Sequence, residues 1–162
     1  MNRIDKRNYY LNIAKECAAR STCLRKKYGA VIVKDDEIIS TGYNGAPRGR
    51  ENCCDLGTCL RIKMNIPSGQ RYEICRSVHA EMNAIISASR KEMIGATLYL
   101  YGIDFNTGEM IENPKPCSMC KRLILNSGIK EIITRDKNET WVTLTDCYIL
   151  NDDSKVEDTY GK

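Results

Sequence analysis

The sequence predicts an α/β fold built on a mixed sheet. Two observations predict it. Strand-like apolar runs alternate along the chain with segments of helical period, and the first two runs, in "YGAVIVKDDEIISTGYN", are separated only by the tight turn Lys34-Asp35-Asp36. The first two strands therefore form a hairpin, and the later ones are expected to run parallel through crossover helices.

The elements follow in order. "DKRNYYLNIAKECAARS" places Tyr9, Tyr10, Ile13, Ala14 and Cys17 at helical spacing. The hairpin comes next. Residues 45–75 hold four glycines, two prolines and four cysteines, which reads as a loop-rich insertion, and a loop that long needs a function or a staple. "HAEMNAIISASR" reads as a helix and "GATLYLYG" as a strand. Pro116 can open a helix over "CSMCKRLILNSG" that Gly128 closes. "IKEIITR" is the next strand, "TWVTLTDCYIL" a candidate for the last one, and "NDDSKVEDTYGK" a polar, frayed tail. No repeat or low-complexity segment interrupts this order, and 162 residues suit one domain, 1–162, with one core.

The net charge of +4 is mild and the basic residues gather into no long block, so composition suits an anionic small molecule better than nucleic acid. No stretch reads as a signal peptide or a membrane span, which points to the cytoplasm. Nine cysteines are many for such a chain, and without export disulfides explain them poorly. Metal ligation, catalysis or plain burial remain.

The chemistry concentrates in "HAE" at 79–81 and "PCSMC" at 116–120, each opening an expected helix. Cys117 and Cys120, three apart, share one helical face in the first turn, where backbone N–H groups favour thiolates. His79, the only histidine, would add a third ligand from the neighbouring helix. One His and two Cys form a zinc set with a fourth position open to water, the catalytic arrangement. Glu81 lies too close in sequence to His79 to be an obvious extra ligand and is the candidate proton carrier. Taken alone, C-x-x-C also fits a redox pair, half of a structural zinc site or two buried thiols. The two motifs together favour the catalytic reading, since H-x-E with P-C-x-x-C is the established signature of zinc-dependent nucleobase deaminases.

Over residues 5 to 135 the chain resembles the cytidine and deoxycytidylate deaminase family, and within it the deoxycytidylate (dCMP) deaminases. The resemblance rests on "YGAVIVKDDEIISTGYNGAPRG", "NCCD", "VHAEMNAI" and "PCSMCKRLILNSGIKEI". It implies a three-layer α/β/α fold with a central mixed sheet of about five strands. It implies hydrolysis of dCMP to dUMP and ammonia, which supplies dUMP for thymidylate, with zinc on His79, Cys117 and Cys120. Glu81 would protonate N3 of the cytosine and then help the amine leave. Asn44 would contact the sugar, and the Ala80 carbonyl would lie near the exocyclic amine. For the phosphate, Ser21 and Arg25 are the candidates, with Lys27 behind them. The resemblance further implies a homohexamer, with dCTP and dTTP as effectors near the GYNG segment and Mg2+ accompanying dCTP. The stretch "GIDFNTGEMIENPK" is longer than the family pattern, and a turn at Asn106-Thr107-Gly108 is expected over the active-site mouth. The alternatives are a deaminase of another cytosine nucleotide, of a nucleoside or of RNA, and an inactive zinc-binding module of the same fold.

Some members of the family carry a second, structural zinc. Cys23, Cys53, Cys59 and Cys75 are candidates for a closed four-thiolate site that would staple the insertion, with Cys54 as the alternative to Cys53. Buried unliganded thiols are the other reading. Cys17 and Cys147 read as core residues.

Overall fold

A computed structural model describes residues 2–144. Helix α1 (Lys6–Ala19) begins where the Asp5 carboxylate accepts from the Asn8 N–H at 3.0 Å. Strands β1 (Lys26–Lys34) and β2 (Glu37–Tyr43) pair antiparallel with Lys34 opposite Glu37. The intervening Asp35 and Asp36 have φ of 51° and 66°, the left-handed pair that a two-residue hairpin demands and that aspartate tolerates. The Tyr10 hydroxyl donates to the Asp36 carboxylate at 2.7 Å, and Lys6 pairs with the same side chain, so α1 is tied to the hairpin tip.

The expected insertion is a set of short turns: α2 (Cys53–Leu56), α3 (Leu60–Lys63) and a 3-10 turn at Tyr72–Ile74. Its ends are joined, since Gly45 and Val78 exchange both backbone hydrogen bonds, at 3.2 and 2.8 Å. The expected helix after it is two helices. Helix α4 (Ala80–Ile86) stops, and the Ser89–Glu92 capping box starts α5 (Arg90–Met93). Then come β3 (Thr97–Asp104), α6 (Ser118–Ser127), β4 (Glu131–Arg135) and β5 (Trp141–Leu144). Gly128, at φ 86°, ends α6 as expected.

The five strands lie in the order β2-β1-β3-β4-β5. The β3/β4 pair is parallel through α6, as expected. The expectation that all later strands run parallel is corrected at β5, which pairs antiparallel with β4. Residues 136–140 are too few for a crossover and make a tight turn instead. The rest of the expected last strand (145–150), Cys147 within it and the tail (151–162) lie outside the described residues.

Alternation along the strands divides the core into two layers. Val31, Val33, Tyr99, Tyr101 and Ile133 face Tyr10, Leu11, Ala14 and Ala18 of α1. Ala30, Ile32, Leu98, Leu100 and Ile132 face the other side, against Ala80, Ala84, Cys120 and Ile124 of α4 and α6. Two glycines in adjacent strands set how closely the helices approach. A Cβ at Gly29 would lie 2.0 Å from the Ala14 carbonyl oxygen of α1, and one at Gly42 would lie 2.3 Å from the Ala80 carbonyl oxygen of α4. Each helix rests its backbone on a glycine. Among the described residues, no helix is long and apolar enough to cross a membrane.

Candidate metal centre and substrate pocket

Two helix starts meet on one side of the sheet. His79 is the residue before α4, with extended φ/ψ of −71° and 155°, and Cys117 holds the same position before α6, at −69° and 167°. Cys120 follows in the first turn of α6 and is fully buried. Helix α4 is fixed where the Ser40 hydroxyl donates to the Ala84 carbonyl at 2.7 Å and the Asn83 amide donates to the Tyr43 carbonyl at 2.8 Å. As a result, His79 Nδ1 lies 3.4 Å from Cys117 Sγ and 3.4 Å from Cys120 Sγ. All three donor atoms fall within 4.8 Å of one another, and among the described residues no other group of three or more potential metal-binding side chains gathers so tightly.

The proton positions fit a site built for a cation. The Cys120 thiol holds the Cys117 thiol well below its usual range, against its burial, and His79 helps. Cys120 itself is pushed far up, first by that hydrogen bond and then by burial. Burial pulls the His79 imidazole down, but its hydrogen bond to Cys117 and the charge there outweigh this and raise it. Two soft sulfurs and one imidazole nitrogen at these separations fit zinc, and loading it would expel the thiol proton that Cys120 holds.

Glu81 lies in the first turn of α4 and is 6% exposed. Burial pushes its carboxyl up, partly opposed by its own backbone N–H and by the His79 charge. It lines one pocket together with His79, Cys117, Arg25, Lys26 and Asn44. Asn44 is buried, and its amide is nearly saturated: Oδ1 accepts from the Ser21 hydroxyl at 2.6 Å and the Tyr28 N–H at 2.7 Å, and Nδ2 donates to the Lys26 carbonyl at 2.9 Å.

The other expected site residues fall less neatly. Ser21 is buried behind Asn44 and is not part of the pocket wall, so its hydroxyl orients Asn44. Lys27 turns its ammonium toward the Phe105 ring, 5.8 Å from the centroid. Ala80 is fully buried, its carbonyl sits against Gly42, and it too is absent from the pocket wall. The turn expected at 106–108 exists, with the Asp104 carboxylate accepting from the Asn106 and Thr107 N–H groups at 2.9 and 3.1 Å. It packs against the start of β1, where the Phe105 N–H donates to the Arg25 carbonyl, and of the 102–115 segment only Lys115 reaches the pocket wall. The pocket also takes Tyr28, Arg61 and Tyr72, which sequence reasoning missed. Tyr72 sets its ring edge-on to His79, with centroids 4.8 Å apart. The insertion has no periodicity to reveal such placements.

The four cysteines of the insertion region are neighbours. Burial raises the Cys53 thiol, and proximity to Cys23, Cys59 and Cys75 raises it further. Cys54 is exposed, so of the two adjacent thiols Cys53 faces inward. All eight described cysteines are free thiols, and Cys17 is half-buried against the α1-side core.

A family model described as the cytidine and deoxycytidylate deaminase zinc-binding region matches residues 4–135. The deoxycytidylate deaminase of Mycobacterium phage D29 is 40% identical over 138 residues, covering 82% of this chain and 96% of that protein. The deoxycytidylate deaminase of Schizosaccharomyces pombe is 35% identical over 126 residues, and there the match spans 78% of this chain but only 35% of the longer yeast protein. Among solved structures, the apo dCMP deaminase of cyanophage S-TIM5 matches with a TM-score of 0.58 and 26% identity, covering 83% of this chain and 85% of that one. The matched span contains every residue that builds the His79–Cys117–Cys120 cluster and the pocket beside it, and the chain belongs to the cytidine and deoxycytidylate deaminase family.

Proposed function

We propose that this chain hydrolyses dCMP to dUMP and ammonia. The observation that carries the proposal is the joining, in one pocket, of the buried Glu81 and the His79–Cys117–Cys120 cluster with the cations Arg25 and Lys26. The cluster suits a cytosine ring that must be attacked by water, and the cations suit a phosphate. The likeness to the phage D29 deoxycytidylate deaminase over nearly its whole length supports the same substrate.

His79, Cys117 and Cys120 would hold Zn2+, which supplies Lewis-acid activation of water when bound. Glu81 takes the proton that water loses, delivers it to N3 and then serves the departing amine. One C4–O bond forms, one C4–N bond breaks, and Glu81 ends in the charge state in which it began. A buried carboxyl with a raised proton affinity suits both halves of that cycle. Asn44 has both carbonyl lone pairs engaged and one amide N–H left, so it meets a sugar hydroxyl as a donor.

Three finer assignments belong to the same reading. Cys23, Cys53, Cys59 and Cys75 hold a second zinc that staples the insertion, supported by the influence of Cys23, Cys59 and Cys75 on the Cys53 thiol. A cleft lined by Arg20, Arg48 and Arg50 beside Gly42 and Gly45 suits the triphosphate of a dCTP or dTTP effector, with Mg2+ accompanying the nucleotide in a homohexamer. Free thiols among the described residues suit a reducing cytoplasm.

The test is an ultraviolet assay of zinc-loaded protein with dCMP, dCTP, cytidine and deoxycytidine. We expect the highest kcat/KM for dCMP and two zinc ions per chain. Turnover of cytidine without turnover of dCMP overturns the substrate, and one zinc per chain overturns the second metal.

A further inference from the structure

Arg61 is a buried cation with no ion-pair partner among the described residues, and the Glu73 carboxylate, which feels its charge, is paired with Arg71 instead. It lies on α3 in the insertion and is 6% exposed. Its Nη2 donates to the Pro67 carbonyl at 3.3 Å, and its guanidinium stacks over the Tyr72 ring, 4.7 Å from the centroid. Its Nε is buried with no hydrogen-bond partner. Among the described residues, the ion pairs are Lys6–Asp36 and Arg71–Glu73, so no carboxylate is paired with Arg61. A buried guanidinium is costly unless it is paired, and a charge left unpaired inside a pocket wall calls for its counterion to arrive with the ligand.

Two neighbours point the same way. Arg25 Nη1 donates to the Ile66 carbonyl at 3.1 Å, and Lys26 Nζ donates to the Ser68 hydroxyl at 3.2 Å. Three cations from two separate parts of the chain therefore converge on residues 66–68, whose neutral oxygens occupy them. All three also line the pocket that holds His79 and Glu81. Neutral oxygens are weak partners for such groups. A phosphate is a better one, because its oxygens carry full charge and match the guanidinium fork.

We propose that Arg61 is a specificity-determining residue that receives the 5′-phosphate of the substrate, with Arg25 beside it and Tyr72 as its platform. This rests on the reading of the substrate as dCMP. On binding, Arg61 and Arg25 exchange the Pro67 and Ile66 carbonyls for phosphate oxygens. The cysteine-bearing insertion thus supplies the group that tells a nucleotide from a nucleoside. Its own turns fix the geometry: Cys59 precedes α3, which carries Arg61, and Cys75 follows the 3-10 turn that carries Tyr72.

The test uses zinc-loaded full-length protein and two variants, Arg61→Met and Arg61→Lys. The readouts are KM and kcat for dCMP, and the constant with which deoxycytidine competes against it. In Arg61→Met we expect the KM for dCMP to rise about 10- to 100-fold, the range for losing a hydrogen bond to a charged group. Deoxycytidine brings no phosphate, and its constant should move far less. Arg61→Lys keeps a charge on the Tyr72 platform but loses the fork, so it should fall between wild type and Arg61→Met. It also serves where the methionine variant does not fold. Inorganic phosphate should compete with dCMP in wild type and more weakly in Arg61→Lys. A preference for dCMP over deoxycytidine that survives in the variants overturns this inference alone. A wild-type protein with no such preference overturns the dCMP reading and this inference with it.

Discussion

Glu81→Gln is expected to reduce kcat for dCMP by about 10²- to 10⁴-fold, the usual contribution of a positioned proton carrier. The amide has the shape of the carboxyl it replaces, so the buried site beside Cys117 and Cys120 stays filled. Zinc content and dCMP binding should therefore remain close to wild type, measured by metal analysis and by equilibrium dialysis with dCMP. Stability gives a second readout. Burial raises the Glu81 carboxyl in the folded metal-free protein. An acid whose folded value lies above its unfolded one costs stability as pH climbs past the unfolded value, because the unfolded chain ionises first. A neutral amide avoids that cost, so metal-free Glu81→Gln should melt no lower than wild type at neutral pH. Turnover within tenfold of wild type would take Glu81 out of the proton path.

The glycine pair gives the second large effect and separates stability from catalysis. Gly42→Ala would set a methyl 2.3 Å from the Ala80 carbonyl oxygen and 2.5 Å from the Ala84 nitrogen, so α4 must move away from the sheet. That helix carries Glu81, and His79 immediately precedes it. We expect about 1–3 kcal/mol of lost stability from overpacking, and about a 10²-fold loss in kcat/KM, because a shift near 1 Å is enough to spoil a reacting geometry. Gly29→Ala produces the same kind of clash on the opposite face, against Ala14 and Ala18 of α1, which carries none of the proposed catalytic groups. It should cost similar stability and leave kcat/KM near wild type. Thermal melts and steady-state rates on the two variants decide the matter. Equal catalytic losses in both would mean that closeness of helix α4 to the sheet does not position the site.

The residues legible in the sequence were those whose role depends on local structure. Cys117 and Cys120 are one helical turn apart, and His79 and Glu81 lie on either side of a helix start, so their spacing already carried their geometry. The alternating strands gave both faces of the sheet for the same reason. The short link 136–140 forbids a crossover and so requires the antiparallel β5, and Ser89 with Glu92 marks the start of a separate helix. The placement of Ser21 could not be read. Whether its hydroxyl meets a phosphate or Asn44 depends on how the chain after α1 meets the segment after β2, and the structure gives it to Asn44 at 2.6 Å.

What the sequence alone determined is therefore the fold class, the His79–Cys117–Cys120 cluster and the proposed proton carrier Glu81, because 3.6-residue and two-residue periods and helix starts are properties of neighbouring residues. What only the tertiary structure decided is the wall of the pocket. Arg61 and Tyr72 come from an insertion without periodicity, closed at its base by Gly45 and Val78 and brought against His79 by packing between parts of the chain distant in sequence. No local pattern encodes such contacts. They exist only once the sheet has set the distance between the helix starts and the insertion has folded over them.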